Sequence, residues 1–183
     1  MANRLKTMLK VEKNSSNKCY WLNSVDDYNK VFNHQLQNIS KDSRKNLLYN
    51  LKYLEYLQLQ LDELVLDSVI EKMIWKNYII IAYSVIELIF QEKAGTLDFG
   101  KKALDKVIKE NSLDLTKEQI DIIQNNRKLR NRVHLLVKSE DVDTDWFAFN
   151  KEEYLTMKSM LFSILSSSKV SNTEYHKYIE FLK

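Results

Sequence analysis

The feature that most constrains the fold is the near absence of residues that form tight turns. The chain has 183 residues, no proline and two glycines. Tight β-turns depend on glycine for positive φ and on proline for a fixed φ, so a hairpin-rich sheet or a sandwich is disfavoured. The sequence therefore predicts an all-α protein, a helical bundle with a four-helix core and short peripheral helices.

Two long helices are predicted in the first half of the chain. Ser68 and Glu71 form a Ser-x-x-Glu capping box for a helix over about residues 68–93. Its run Tyr78–Phe90 is apolar on all sides, which places this helix at the centre of the bundle. The helix before it can be capped by Asp42 or Ser43. That helix carries leucines at the three- and four-residue steps of a buried seam, namely Leu47, Leu51, Leu54, Leu57, Leu61 and Leu64.

Shorter helices are predicted on either side of this pair. Ser24, with Asp27 in the first turn, begins a helix that runs to about Ile39. Gly95 is a natural stop for the central helix. The later elements follow in chain order: a short helix over 99–110, a helix from the Thr116 and Gln119 capping box to about Val137, an acidic loop over 139–149, a helix from Asn150 and Glu153 to about Ser167, and a last helix from Ser171 or Asn172.

One domain with an N-terminal arm is predicted. Residues 1–22 are polar and basic and form the arm, and 23–183 form a single helical-bundle domain. The chain has one cysteine, so no intramolecular disulfide is possible and a reducing compartment is expected. The first residues lack the apolar core of a signal peptide, and Tyr78–Phe90 is too short to span a bilayer. We therefore expect a cytoplasmic protein with no membrane partner.

The strongest functional signal is a basic segment, residues 124–138. It has five Lys or Arg residues, no Asp or Glu, and one of the chain's three histidines. At about 100° per residue on a helix, Arg127, Asn131 and His134 share one narrow stripe, with Arg130 at its edge. Arginine neutralises phosphate charge and histidine moves a proton near neutral pH, so this stripe suits a phosphodiester. The alternative is a solvated basic face without chemistry.

Two further observations bear on the basic segment. Ile120 and Ile123 precede His134 on the same stripe, which predicts a partly buried face in a cleft or at a subunit contact. Glu87 lies in the most apolar helix, where a carboxylate is costly unless it is paired. We expect it to orient one of the two stripe arginines, or else to reach water at the bundle edge. The chain has no glycine-rich phosphate loop and no metal-ligand spacing, so neither a cofactor nor a metal is predicted.

These residues resemble a known family. The segment from Leu129 to Leu135 resembles the signature helix of the HEPN superfamily (higher eukaryotes and prokaryotes nucleotide-binding), in which an Arg and a polar residue, usually Asn, precede a His. The run Tyr83–Phe90 is similar to the family's central helix, which carries an acidic residue. The resemblance covers roughly residues 40–165 in architecture and a short motif in sequence.

The spacing of the motif differs from the usual family pattern. The pair Arg130-Asn131 stands closer to His134 than is usual in the family. Arg127 has the usual spacing from His134 but is followed by Lys128. The two arginines are therefore expected to divide the family role between them.

The resemblance implies a function. Active HEPN proteins are metal-independent endoribonucleases, here of the toxin or phage-defence kind. It implies that His134 transfers a proton, that Arg127 and Arg130 hold the scissile phosphate, and that Asn131 positions the ribose or phosphate. It also implies a homodimer with facing motif helices, and a separate antitoxin or regulatory protein. Further contacts to RNA are expected from three residues, Lys128, Arg132 and Trp146.

Two alternatives stay open. Some members of the family lack activity, which would make this chain a scaffold that binds RNA, nucleotide or protein without cleaving. The second alternative is an unrelated helical interaction protein whose basic segment is a solvated face.

Overall fold

The all-α prediction is confirmed. The computed structural model describes residues 22–32, 36, 39–96, 101–110, 113, 115–130 and 148–183. Residues 101–103 and 126–130 are described by their backbone alone. The regular structure of these residues is entirely helical. It consists of α1 (Val25–Val31), α2 (Lys41–Glu63), α3 (Ser68–Ala94), α4 (Lys101–Lys109), α5 (Lys117–Arg130), α6 (Lys151–Ser166) and a C-terminal 3₁₀ helix (Thr173–Leu182).

Helix α3 forms the centre of the bundle. It packs against α2, α4, α5 and α6, and its side chains Tyr78, Tyr83 and Phe90 are fully buried. This helix is long and apolar enough to cross a membrane by composition alone, but 56% of its most apolar window is buried inside the protein. Such burial is what the core helix of a bundle shows. The four-helix core consists of α2, α3, α5 and α6, and the shorter helices lie around it.

The leucine seam of α2 is buried over most of its predicted length. Four of its members are at most 2% exposed and belong to the core: Leu47, Leu51, Leu54 and Leu57. Each contributes roughly 1.5–3 kcal/mol through burial of its side chain. Leu61 is partly buried, whereas Leu64 lies past the end of the helix and is 36% exposed. The seam therefore fixes α2 on α3 for four turns and ends where the chain turns.

Three predicted helix starts are confirmed by their capping hydrogen bonds. At α5, the Gln119 N–H donates to Thr116 Oγ1 at 3.2 Å and the Thr116 N–H donates to Gln119 Oε1 at 2.8 Å. This reciprocal pair satisfies two N–H groups that the first turn leaves without partners. The α1 and α6 starts use the predicted residues as well, Ser24 with Asp27 and Asn150 with the Glu153 N–H.

Two other helices are capped by residues different from the predicted ones. Helix α2 is capped by Ser40, whose Oγ accepts from the Ser43 N–H at 3.1 Å, rather than by Asp42 or Ser43. Helix α3 is capped by Asp67, whose carboxylate accepts two backbone N–H bonds at 2.9 and 3.2 Å. In both places several neighbouring side chains are able to cap, and the structure uses the earliest of them.

The first and last helices differ from prediction in extent and type. Helix α1 ends at Val31, not near Ile39, although Phe32 and Leu36 beyond it are fully buried. The last helix starts after Asn172 as predicted but is 3₁₀ in type. Side chains three residues apart eclipse on a 3₁₀ helix. The buried pair Ile179 and Leu182 and the stacked rings of Tyr175 and Tyr178 both follow that spacing.

Several predictions lie partly or wholly outside the described residues. The 1–22 arm is described only at Leu22, so the division into arm and domain stays a prediction, although the buried residues from 28 to 182 form one core cluster. The continuation of α5 from 131 to Val137, and the acidic loop up to residue 147, are also outside the description.

Candidate functional site

Helix α5 carries the start of the predicted site. The backbone of Arg127, Lys128 and Arg130 is helical, which agrees with the predicted helix. Their side chains lie outside the described part of the chain. The other predicted site residues lie outside the described part of the chain: Asn131, Arg132, His134 and Trp146.

The stripe begins on a buried face of α5. Ile123 is 2% exposed, and Ile120 is partly buried against the core. The Tyr83 hydroxyl donates to the Ile123 carbonyl at 3.3 Å, which fixes α5 against the middle of α3. Since Arg127 and Arg130 follow Ile123 by one and two turns on nearly the same face, their backbone continues a face that starts in the core.

The direction of α6 follows from the contacts made at the two ends of this helix. Helices α2 and α3 are antiparallel because only residues 64–67 join them. Near its start, α6 meets the end of α2, where the Tyr154 hydroxyl donates to Gln58. The residues after α6 return to the opposite end of α2. There the Asn172 N–H donates to the Val31 carbonyl, and the Phe32 carbonyl accepts a hydrogen bond from Arg44. Helix α6 is therefore parallel to α3.

Helix α5 runs antiparallel to both. Near its start, Gln119 donates to Ser163, which is close to the end of α6. Four residues later, the Ile123 carbonyl meets Tyr83 in the middle of α3. The described end of α5, at Arg127 and Arg130, is thus directed toward the amino ends of α3 and α6, and toward the turn that joins α2 to α3.

This register offsets the backbone of Glu87 from that of the arginines. Glu87 is half-buried and lies one turn past Tyr83, toward the start of α5. Arg127 is one turn past Ile123 in the other direction. At 1.5 Å per residue, the two positions are offset by roughly 12 Å along the bundle axis, and Arg130 is further still. The pairing of Glu87 with either arginine stays a prediction, because the arginine side chains lie outside the described residues.

The α3 residues at the level of the arginines are basic. Lys76 and Lys72 precede Tyr83 by about two and three turns, so they share the α3 face on which α5 packs. The Lys76 Nζ lies 5.3 Å from the centre of the Phe149 ring, where the chain re-enters the described part. These lysines are candidate RNA contacts that the sequence reasoning missed. Their four-residue spacing was visible, but their proximity to α5 depends on the helix direction.

A cleft of about 590 Å³ lies between α5 and α6. Its polar lining consists of hydroxyl and amide groups from Thr116, Gln119, Thr156, Ser159 and Ser163. Among the described residues no Lys or Arg lines it, and Glu118 is its charged residue. A phosphodiester is held by cations, so this cleft is not the predicted phosphate site, which lies further along α5.

A buried polar cluster joins α2 to the start of the domain. Glu55 is 8% exposed and accepts three hydrogen bonds at 2.8 Å. Two come from the backbone and side-chain N–H groups of Asn23 and one from the Tyr28 hydroxyl. Burial raises the pKa of Glu55, and these hydrogen bonds and the Lys52 charge lower it by less. Because both carboxylate oxygens orient α1 and its preceding residues, the role of Glu55 is structural.

The Ser171 and His176 pair is also structural. The Ser171 hydroxyl, 1% exposed, donates to the Leu165 carbonyl, and His176 Nε2 lies 2.7 Å from the same oxygen. Since serine has one hydroxyl proton, Nε2 carries the proton of that second bond. Burial, and then the Lys183 charge, lowers the pKa of His176. The pair closes the turn after α6 and is too buried at Ser171 to act on a substrate.

Elsewhere in the core, the Tyr154 hydroxyl donates a hydrogen bond to Gln58. Burial, and to a lesser extent the Asp62 charge, raises the pKa of Tyr154 to about 12. Within the described ranges no three His, Cys, Asp or Glu side chains form a group that could hold a metal ion.

Comparison with known proteins gives no family assignment. No family model matches the chain, and no curated protein or solved structure is significantly similar to it. The HEPN resemblance therefore rests on residues 127–134 and on the helical architecture, and what it implies about function is a proposal.

Proposed function

We propose that this protein is a HEPN-like, metal-independent endoribonuclease of the toxin or phage-defence type. The observation that carries the proposal is the placement of α5. Ile123 fixes the helix in the core, and the backbone of Arg127 and Arg130 follows toward the end of the bundle where α3 carries Lys72 and Lys76. A rigid helix whose sequence carries cations is a suitable support for a phosphodiester.

In this proposal the chemistry is transesterification within the RNA. The ribose 2′-oxygen attacks the adjacent phosphorus, and the bond from phosphorus to the 5′-oxygen breaks. His134 either takes the proton of the 2′-hydroxyl or gives one to the departing 5′-oxygen. Arg127 and Arg130 neutralise the charge that develops on the phosphate, and Asn131 positions the ribose or phosphate. Both routes leave a 2′,3′-cyclic phosphate and a 5′-hydroxyl.

A scaffold of the same family is the second candidate. The observation in its favour is the spacing, since neither Arg127-Lys128 nor Arg130-Asn131 matches the usual motif before His134 in both spacing and residue type. Such a protein would bind RNA through the same cations without cutting it. As an enzyme or a scaffold, it would be regulated by a separate protein that blocks the basic segment.

Cleavage of a structured RNA by the purified protein in EDTA tests the proposal. We expect cutting without added metal, with products that carry cyclic phosphate and 5′-hydroxyl ends. These ends show as resistance of the 3′ end to phosphatase until acid opens the ring. Intact RNA at every protein concentration, with a gel shift that weakens as salt rises, would favour the scaffold. Cleavage only after adding a divalent metal would contradict the mechanism.

The proposed enzyme is a homodimer, and an exposed apolar patch supports this part of the proposal. The patch surrounds the turn between α2 and α3, with side chains 36% to 101% exposed: Leu64, Val65, Val69, Ile70 and Met73. Val69 lies within about 40° of the α3 face of Tyr83, so the patch lies near the level to which α5 leads. Contiguous exposed apolar surface commonly marks a protein interface. A second copy covering it would bring two basic segments close together.

Charged substitution of this patch tests the homodimer. We expect Val69→Glu with Met73→Glu to convert a dimer into a monomer in sedimentation velocity, because two carboxylates would be buried without partners. Cleavage should fall in parallel. The matched control is Ile108→Glu on α4, at a position 38% exposed, which should leave the dimer intact. A wild-type protein that stays monomeric at all concentrations would contradict the dimer.

A further inference from the structure

The outward face of α2 carries three exposed tyrosines that take no part in the proposed site. Tyr49, Tyr53 and Tyr56 are 56%, 41% and 43% exposed. Their spacing of four and three residues places them in one row along the helix. The rings of Tyr53 and Tyr56 are stacked, with centroids 6.4 Å apart and planes 22° from parallel. These three residues are called the tyrosine row below.

The charges beside the middle of the tyrosine row are positive. From Arg44 to Leu61 the only acidic residue is Glu55, and Glu55 is buried with its oxygens engaged. Asp42 and Glu63 lie on the same face, about two turns beyond Tyr49 and Tyr56. Lys45 and Lys52 lie on the side of α2 that carries the row. The Lys52 Nζ donates to the Asn23 carbonyl at 3.1 Å, which orients the ammonium and leaves two of its three donors for another partner.

We propose that the tyrosine row binds a single-stranded segment of RNA, with unpaired bases stacked on the rings and phosphates held by Lys45 and Lys52. Aromatic rings stack on any base because every base has a π-face, and basic groups beside them track the backbone. From Tyr49 to Tyr56 the helix rises roughly 10 Å, the length of about three steps of a stacked strand at 3.4 Å each. A strand of about four nucleotides therefore spans the row.

This surface is separate from the proposed catalytic site and does not depend on it. Helix α5 packs on α3 and α6, whereas the tyrosine row points away from the core on α2. A strand bound there would anchor RNA to the protein without touching the bond that breaks. In a ribonuclease, loss of the row would raise KM and leave kcat unchanged.

The test measures binding of a fluorescein-labelled oligouridylate by anisotropy in EDTA, on the full chain. Uridylate forms no stable pairing, so the bases are free to stack. Truncation of one ring, Tyr53→Ala, is expected to raise Kd about tenfold, and Tyr53→Phe to leave it within about twofold because the ring remains. Ile108→Ala, an exposed truncation on α4, should have no effect. Because these side chains are exposed, thermal melting by circular dichroism should be nearly unchanged in all variants.

Crosslinking locates the bound strand independently of cleavage. After irradiation of the complex with an oligonucleotide containing 4-thiouridine, mass spectrometry should find the crosslinks on the α2 peptide. Arg127→Gln with Arg130→Gln should lower cleavage while these crosslinks persist, so failure of the catalytic proposal and failure of this one are distinguishable.

Three results would overturn the proposal. The first is equal binding of wild type and Tyr53→Ala. The second is binding of a perfect RNA duplex as tight as binding of the single strand, because stacking needs unpaired bases. The third is a change of oligomeric state in Tyr49→Ala or Tyr56→Ala without a change in RNA affinity, which would assign the row to a contact between copies of the chain.

Discussion

Replacing His134 with alanine is expected to lower the rate of metal-independent RNA cleavage by about two to four orders of magnitude, the usual contribution of one general acid or base. RNA affinity should change little, because the phosphate is held by Arg127 and Arg130 in this proposal. The measurement pairs single-turnover cleavage rates in EDTA with a gel-shift affinity on the same preparations. Loss of rate at constant affinity is the signature of a group that acts in the chemical step.

The chain provides a matched control for that variant. His176→Gln changes a histidine whose Nε2 is engaged with Ser171 at the turn after α6, far along the chain from the basic segment. We expect it to lower thermal stability modestly and leave cleavage intact. If His134→Ala and wild type cut at the same rate, His134 is not the catalytic group, and cleavage by a contaminant becomes the explanation to test.

The helices could be predicted from the sequence where local chemistry decides them. Thr116 with Gln119 and Asn150 with Glu153 cap their helices as predicted because the two partners are three residues apart. The cap of α3 is Asp67 and not the predicted Ser68, because both residues have side chains able to cap. Local signals thus locate an element but do not choose between adjacent caps.

The relations between helices could not be predicted in the same way. The direction of α5, antiparallel to α3, is set by the contacts of Gln119 and Ile123 with distant residues. The expected pairing of Glu87 with Arg127 or Arg130 stays a prediction, because the arginine side chains lie outside the described residues. The tyrosine row on α2 was readable as a second periodic face, on the side opposite the leucine seam. The contribution of Lys52 to the same surface becomes evident only in the structure, where the neighbouring Glu55 is buried.

Replacing Glu55 with alanine is expected to lower the free energy of unfolding by about 3 kcal/mol at neutral pH. The substitution leaves two N–H groups of Asn23 and the hydroxyl of Tyr28 without their acceptor, and buried donors without a partner are costly. Urea unfolding followed by tryptophan fluorescence measures the change. Glu63→Ala is the matched control, since Glu63 is an exposed residue near the end of the same helix and should cost less than about 0.5 kcal/mol. Equal effects of the two substitutions would contradict the structural role of Glu55.

The variant Glu55→Gln separates the hydrogen bonds from the charge. Burial raises the pKa of Glu55 above its ordinary value of 4.5. The contribution of this raised pKa to the free energy of unfolding is therefore fully present below about pH 4.5. It is lost as pH rises through the folded-state pKa. The stability of wild type relative to Glu55→Gln should thus be highest in acid and fall toward neutral pH.

The contribution of Asp27 to stability changes with pH in the opposite direction. Hydrogen bonds from Ser24 and Lys30 lower its pKa, so its contribution is present above its ordinary pKa and is lost as pH falls. Both proteins contain Asp27, so its contribution cancels when the two unfolding curves are subtracted at each pH. A difference that stays constant from pH 4 to pH 8 would show that Glu55 titrates alike in the folded and unfolded chains. The hydrogen bonds from Tyr28 and Asn23 would then fully offset the cost of burying its charge.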